Sequence, residues 1–107
     1  MTDKVVMLTT VASEEEGLTI SRALVEQKFA ACVNLIAGVR SVYYWKGEIC
    51  QETEYLLLIK TKDALQKKVA DLIRRLHSYE CPEIISLPVC WGWEGYLRWI
   101  EETVAGK

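Results

Sequence analysis

The segment Cys32–Thr61, CVNLIAGVRSVYYWKGEICQETEYLLLIKT, decides the fold. Its first arm alternates Val39, Ser41, Tyr43 and Trp45 with Arg40, Val42, Tyr44 and Lys46, and the return arm alternates Tyr55, Leu57 and Ile59 with Glu54, Leu56 and Leu58. Period-two patterning in β-branched and aromatic residues, interrupted at Lys46-Gly47-Glu48, predicts a β-hairpin. Strands typically run about 5–6 residues, and each arm here can reach roughly twice that, about 40 Å at about 3.3 Å per residue. A globule of this size spans about 26 Å, twice a radius of gyration of about 13 Å. The tip is therefore expected to project beyond the body and to carry Tyr43, Tyr44, Trp45 and Ile49 with it. Aromatic residues on a projecting, unpaired edge invite another chain to pair, so the hairpin reads as an oligomerisation arm.

The 107 residues have room for one core, and residues 1–107 read as a single domain. A content of 50% hydrophobic and 26% charged residues is that of a folded rather than a disordered chain. Thirteen basic and 15 acidic residues give a net charge of −2, which supplies no general field for nucleic acid or anionic membrane. No stretch has the apolar length of a membrane span, and the start lacks a secretory pattern, so the chain is expected to be cytoplasmic. Cys32, Cys50, Cys81 and Cys90 are scattered without a C-x-x-C pair, and free thiols packed as small hydrophobes are the expectation.

Around the hairpin, Val5-Val6-Met7-Leu8 is apolar on consecutive positions, as in a central strand covered on both faces. Ser13 and Glu16 have capping-box spacing, and the helix they open is expected to end near Phe29. Gly38 within the first arm points to a bulge or bend. Asp63 and Gln66 open a second helix whose stripe is Leu65, Val69, Leu72, Ile73 and Leu76. Ile84–Leu87 is a fourth strand, placed at an edge because Pro88 cannot donate to a ladder. Tyr96, Leu97, Ile100 and Val104 mark a last helix, with Trp99 near the same side. The order βαββαβ with right-handed crossovers predicts an α+β, ferredoxin-like sandwich with antiparallel sheet order 4-1-3-2, plus a C-terminal helix.

With these segments placed, Ala30-Ala31-Cys32-Val33-Asn34, Ser41–Glu48, Ile59-Lys60-Thr61, His77–Ile85 and Gly95–Trp99 together resemble the CutA family of divalent-cation tolerance proteins. They follow one another in order over nearly the whole chain. The resemblance implies a ferredoxin-like subunit in a homotrimer held by strand pairing, architecture similar to PII signalling proteins, and a role in tolerance of copper and other divalent ions. It implies no enzymatic activity and no required cofactor; copper or another divalent cation is the ligand it points to. Of the copper-ligand positions in bacterial members, a cysteine is replaced here by Thr9 and one of two histidines by Leu76, leaving His77.

Three residues are candidates for a metal. His77, the sole histidine, stands at a helix C-terminus, where a cation is also favoured by the helix dipole alone. Cys32 is a candidate thiolate or, more simply, a buried structural thiol. Glu83 offers oxygen to a hard ion, and equally well a salt bridge to Lys60. Tyr43, Tyr44, Trp45 and Trp99 are candidates for the trimer interface. Base stacking is disfavoured for them because Glu48, Glu52 and Glu54 flank the arm and repel phosphate. The partners expected are therefore copies of the chain itself and divalent metal ions, with neither nucleic acid nor membrane.

The leading function is a homotrimeric, non-enzymatic protein of metal tolerance; the alternative is a PII-like small-molecule sensor with sites between subunits. An acylphosphatase would need an arginine in Thr9–Ser13, and a metallochaperone of similar topology a C-x-x-C there; neither is present.

Overall fold

The computed structural model describes residues 1–105. Strand β1 (Lys4–Val11) leads to helix α1 (Glu14–Glu26), then to the hairpin strands β2 (Cys32–Trp45) and β3 (Glu48–Lys62). A 3-10 turn over Asp63–Leu65 runs into α2 (Gln66–Leu76), followed by β4 (Ile85–Pro88) and α3 (Glu94–Thr103). The sheet order is β2-β3-β1-β4, all antiparallel, which is the 4-1-3-2 order expected of a ferredoxin-like fold.

The hairpin turn is Lys46-Gly47, with φ of 53° and 83°. Two consecutive positive φ values match the right-handed twist of the flanking arms, as in a type I′ turn. The bulge falls between Ile36 and Val39 and is centred on Gly38 at φ 78°. Beyond it the arm runs free of the helices. The molecule measures 44 × 25 × 22 Å, so the long axis exceeds the globular width as the arm lengths require.

One face of the sheet is closed. Val5, Met7 and Val11 of β1 and Leu57 and Ile59 of β3 pack beneath Ile20 and Leu24 of α1 and Val69, Leu72 and Ile73 of α2. Burying each such side chain contributes roughly 1.5–3 kcal/mol. Helix α1 lies close to the sheet at Gly17, where an added Cβ would meet Leu35 Cδ1 at 2.6 Å and Val11 Cγ2 at 3.2 Å. Ser13 Oγ accepts from the Glu16 amide at 3.1 Å, the cap its spacing predicts. The helix stops at Glu26, earlier than Phe29, because Lys28 adopts φ 61°. The Phe29 amide then bonds Leu24 O and the Lys28 amide Val25 O, a Schellman ending with lysine where glycine is usual.

The other face is largely open. In register, Val6 and Leu8 lie beside Lys60 and Leu58 of β3, with Leu87 and Ile85 of β4 across from them. Val6, Leu8, Leu56 and Leu58 are half-buried, and Ile36, Ile85 and Leu87 are exposed. The first strand is thus central, as its sequence predicts, yet covered by helices on one side only. Helix α3 covers one end of the open face. Its Glu101 accepts from Lys4 Nζ and Lys62 Nζ, each at 3.0 Å, and Ile100 and Val104 pack with Ala31 and Leu65.

Two local expectations change. The Asp63 side chain does not cap α2; the 3-10 turn intervenes and Gln66 Nε2 donates to Asp63 O. The fourth strand begins at Ile85 and includes Pro88, which is tolerated because β4 is an edge and the Val89 amide resumes bonding to Lys4 O.

Candidate functional site

Where α2 ends, the chain turns at His77 and crosses the end of β1 toward the projecting arm. Between this 78–83 loop and the arm lies a cavity of about 740 Å³, lined by Thr10, Tyr43, Trp45, Glu54, Tyr79 and Glu83 among others. The arm alternates as its sequence predicts. Tyr43 and Trp45 face the cavity side, paired with Cys50 and Glu48, while Tyr44 and Ile49 do not line it. Tyr43 is 38% exposed and Tyr44 74%, which reports the same division.

His77 forms the hinge of the loop. Its side chain is fully buried, with Nε2 2.7 Å from Thr10 O and Nδ1 3.1 Å from the Tyr79 amide nitrogen. A carbonyl only accepts and an amide N–H only donates, so Nε2 carries the proton and the Nδ1 lone pair is occupied. Glu16 reaches the same turn and accepts from the Ser78 amide at 2.7 Å and the Ser78 hydroxyl at 3.1 Å. The imidazole packs at 4.7 Å from the Tyr79 ring and fixes its direction.

Tyr79 in turn donates to Glu54 Oε2 at 2.6 Å. Glu54 is only 4% exposed. Burial, and then the Glu54 carboxylate, push the Tyr79 hydroxyl well above the ordinary tyrosine range, so it stays a neutral donor. Tyr43 is also raised, through loss of solvent first and the Glu52 carboxylate next. For both tyrosines burial is the larger cause and a neighbouring carboxylate the next.

The metal candidates do not converge. Cys32 and Val6 both stand opposite Lys60, whereas His77 bonds Thr10, four residues farther along β1, or about 13 Å at about 3.3 Å per residue. Cys32 lies instead beside Tyr96 of α3, whose hydroxyl is raised by burial and then by that thiol. Glu83 is exposed and lines the cavity, and Lys60 pairs with Asn34 rather than with it. Thr9, where the resemblance implies a cysteine in copper-binding bacterial members, is buried on the helix-covered face, and its hydroxyl has no hydrogen-bond partner among the described residues. Among the described residues no three histidine, cysteine or carboxylate side chains gather in a form that could hold a metal. The residues of a single chain therefore do not fit a resident metal ion.

Of the interface candidates, Tyr43 and Trp45 line the cavity, Tyr44 is on the outer face of the arm, and Trp99 sits on α3 at 5.5 Å from Tyr96. The sequence reading missed Glu54 and Tyr79. The signal for Glu54 was a carboxylate on the same strand face as Leu56 and Leu58, where a solvated acid has no reason to stand.

Among the described residues no helix is long and apolar enough to cross a membrane. Residues 5–103 match the family profile described as CutA1 divalent ion tolerance protein. The chain is 45% identical over 98 residues to the divalent-cation tolerance protein CutA of Thermus thermophilus, covering 92% of this chain and 95% of that protein. It is 36% identical over 99 residues to the chloroplastic CutA of Arabidopsis thaliana, covering 92% of this chain. The match takes in 54% of the Arabidopsis protein, so the chain spans about half its length. The CutA1 structure from Oryza sativa superposes with a TM-score of 0.94 at 34% identity, over 97% of this chain and 95% of that one. The CutA structure from Archaeoglobus fulgidus, described as periplasmic, does so with 0.92 at 35% identity, over 95% and 99%. A match along nearly the whole chain, at this identity and with this backbone agreement, shows that the protein belongs to the CutA1 divalent ion tolerance family.

Proposed function

We propose that this chain acts as a homotrimeric, non-enzymatic protein of divalent-cation tolerance in the cytoplasm, and that its sheet is completed by identical subunits. The observation that carries the assembly is the unfinished surface. Among the described residues the 14-residue edge strand β2 has no neighbour on its outer side, and the open face beside it exposes Ile36, Ile85 and Leu87. An edge of that length beside apolar surface is covered in stable proteins, and a closed ring of copies covers it without leaving a free end. Tyr44, Trp45, Tyr43 and Trp99 lie on or beside this surface and supply the aromatic contacts such interfaces favour.

Light scattering of the purified protein at micromolar concentration tests the assembly: three times the 12.2 kDa chain mass is expected, and a monomer sinks the reading. Hydrogen bonds on both nitrogens of His77 argue against its serving as a copper ligand. Titration calorimetry with copper(II) is expected to give the same isotherm for the wild type and His77→Ala. A step lost in the variant would restore the residue as a ligand.

The cavity beside the arm favours a second reading, a small-molecule sensor, because its 740 Å³ falls within the roughly 300–1,000 Å³ of ligand pockets. Thermal-shift screening against nucleotides, organic anions and organic cations tests it, and a uniform null counts against it.

A further inference from the structure

We propose that the cavity between the hairpin arm and the 78–83 loop binds a small organic ammonium ion, with the charge held at Glu54 and the alkyl part enclosed by Trp45, Tyr43 and Tyr79. The proposal rests on the sensor reading and names its ligand class.

The charge balance of the walls points to a cation. Glu54, Glu80 and Glu83 line the cavity, and no lysine, arginine or histidine does. Glu80 is offset by Lys46, whose ammonium lies 3.7 Å away. Glu54 and Glu83 have no such partner among the described residues. Glu54 is the informative one, because a nearly buried carboxylate needs an opposite charge or a full set of donors. It has one side-chain donor, the Tyr79 hydroxyl on Oε2, and Oε1 receives none among the described residues. The Tyr79 and Tyr43 hydroxyls are raised by burial first and then by the neighbouring Glu54 and Glu52 carboxylates, which agrees with acidic walls.

The walls also choose between kinds of cation. A metal ion requires several oxygen, nitrogen or sulfur ligands, which the described residues do not gather. Three aromatic rings contribute nothing to a hard ion. They suit a diffuse ammonium, which is attracted to ring faces while its alkyl groups bury against them. An anion such as a nucleotide would meet two uncompensated carboxylates.

Choline and its neutral isostere 3,3-dimethyl-1-butanol separate these cases. Isothermal titration of the full chain in its native assembly, followed in parallel by tryptophan fluorescence, is expected to show saturable choline binding and none for the alcohol. Glu54→Gln, which keeps an acceptor for Tyr79, is expected to weaken choline roughly tenfold or more by removing the charge. Trp45→Leu, with light scattering confirming that the assembly is retained, is expected to weaken it roughly threefold to tenfold. Equal binding of choline and alcohol, or choline affinity unchanged in Glu54→Gln, overturns the proposal. An organic anion binding in place of choline overturns it and leaves the sensor reading standing. No binding by either class overturns both.

Discussion

Leu57 and Leu58 are neighbours on one strand and live in different proteins, energetically speaking. Leu57 is fully buried under the helices, whereas Leu58 is half-buried on the open face beside Leu8. The closed face is finished by the chain's own α1 and α2. The open face is covered only at its ends, by α3 at one and by the 78–83 loop over Glu54 at the other, and beyond it the arm extends into solvent. The difference separates what the chain stabilises alone from the surface on which the proposed second copy and ligand would act.

The largest expected effect tests that division directly. Leu57→Ala should lose about 2–5 kcal/mol of stability, the cost of a cavity in a packed core, at any protein concentration. Leu58→Ala should lose less in the isolated subunit, and its thermal midpoint should fall most steeply at low protein concentration, because its packing is completed by association. Midpoints measured for both variants over a hundredfold range of concentration decide this. Equal losses that ignore concentration would make the two faces equivalent and remove the basis for the ring.

Next in size is Tyr79→Phe, which leaves Glu54 buried without its donor and should cost about 1–3 kcal/mol in urea denaturation. The same variant sharpens the picture at high pH. A hydroxyl held above its ordinary value near 10 contributes stability that is complete below that value and is lost as pH rises through the folded one. Wild type should therefore lose stability above about pH 10 more steeply than Tyr79→Phe. A flat difference between the two would mean the hydroxyl is not specially held.

Most of the closed face was legible in the sequence because its signals are local and periodic. The stripe Val69, Leu72 and Ile73, the cap at Ser13, and the alternation in the arm each state their own geometry. The strand order followed from handedness rules rather than from any residue. Leu76 marks the limit of such patterns. It continues the apolar stripe in sequence yet is exposed, as the last residue of α2. The site was less legible for a related reason. His77, Glu83, Tyr43 and Trp45 were recognised singly, but a cavity is a property of how a loop crosses a strand, which no spacing encodes. Lone histidines also read the same whether they bind a metal or brace a turn; only the bond to Thr10 O, 67 residues away in sequence, distinguishes them.

Lys28 gives a smaller effect of opposite sign. It occupies a left-handed position at the end of α1, where glycine carries no Cβ penalty. Lys28→Gly should raise stability by about 0.5–1 kcal/mol, less whatever glycine's extra freedom costs in the unfolded chain. The gain belongs to the closed half and should be independent of protein concentration. A concentration-dependent gain would tie the helix end to association instead.

The smallest effect lies where the two faces meet. Glu101 is held below its ordinary value of 4.5 chiefly by its hydrogen bonds from Lys62 and then Lys4, and through them it ties α3 to the sheet. A depressed carboxylate contributes stability present above its ordinary value and lost as pH falls through the folded one. Wild type should thus weaken below about pH 4.5 more steeply than Glu101→Gln, with the two curves parallel at neutral pH. The shift is modest because the carboxylate is half exposed and salt screens it, so the contrast should shrink as ionic strength rises. If the acid limb is unchanged in the variant, α3 is held by Ile100 and Val104 alone, and the end of the open face is closed by apolar packing just as the other face is.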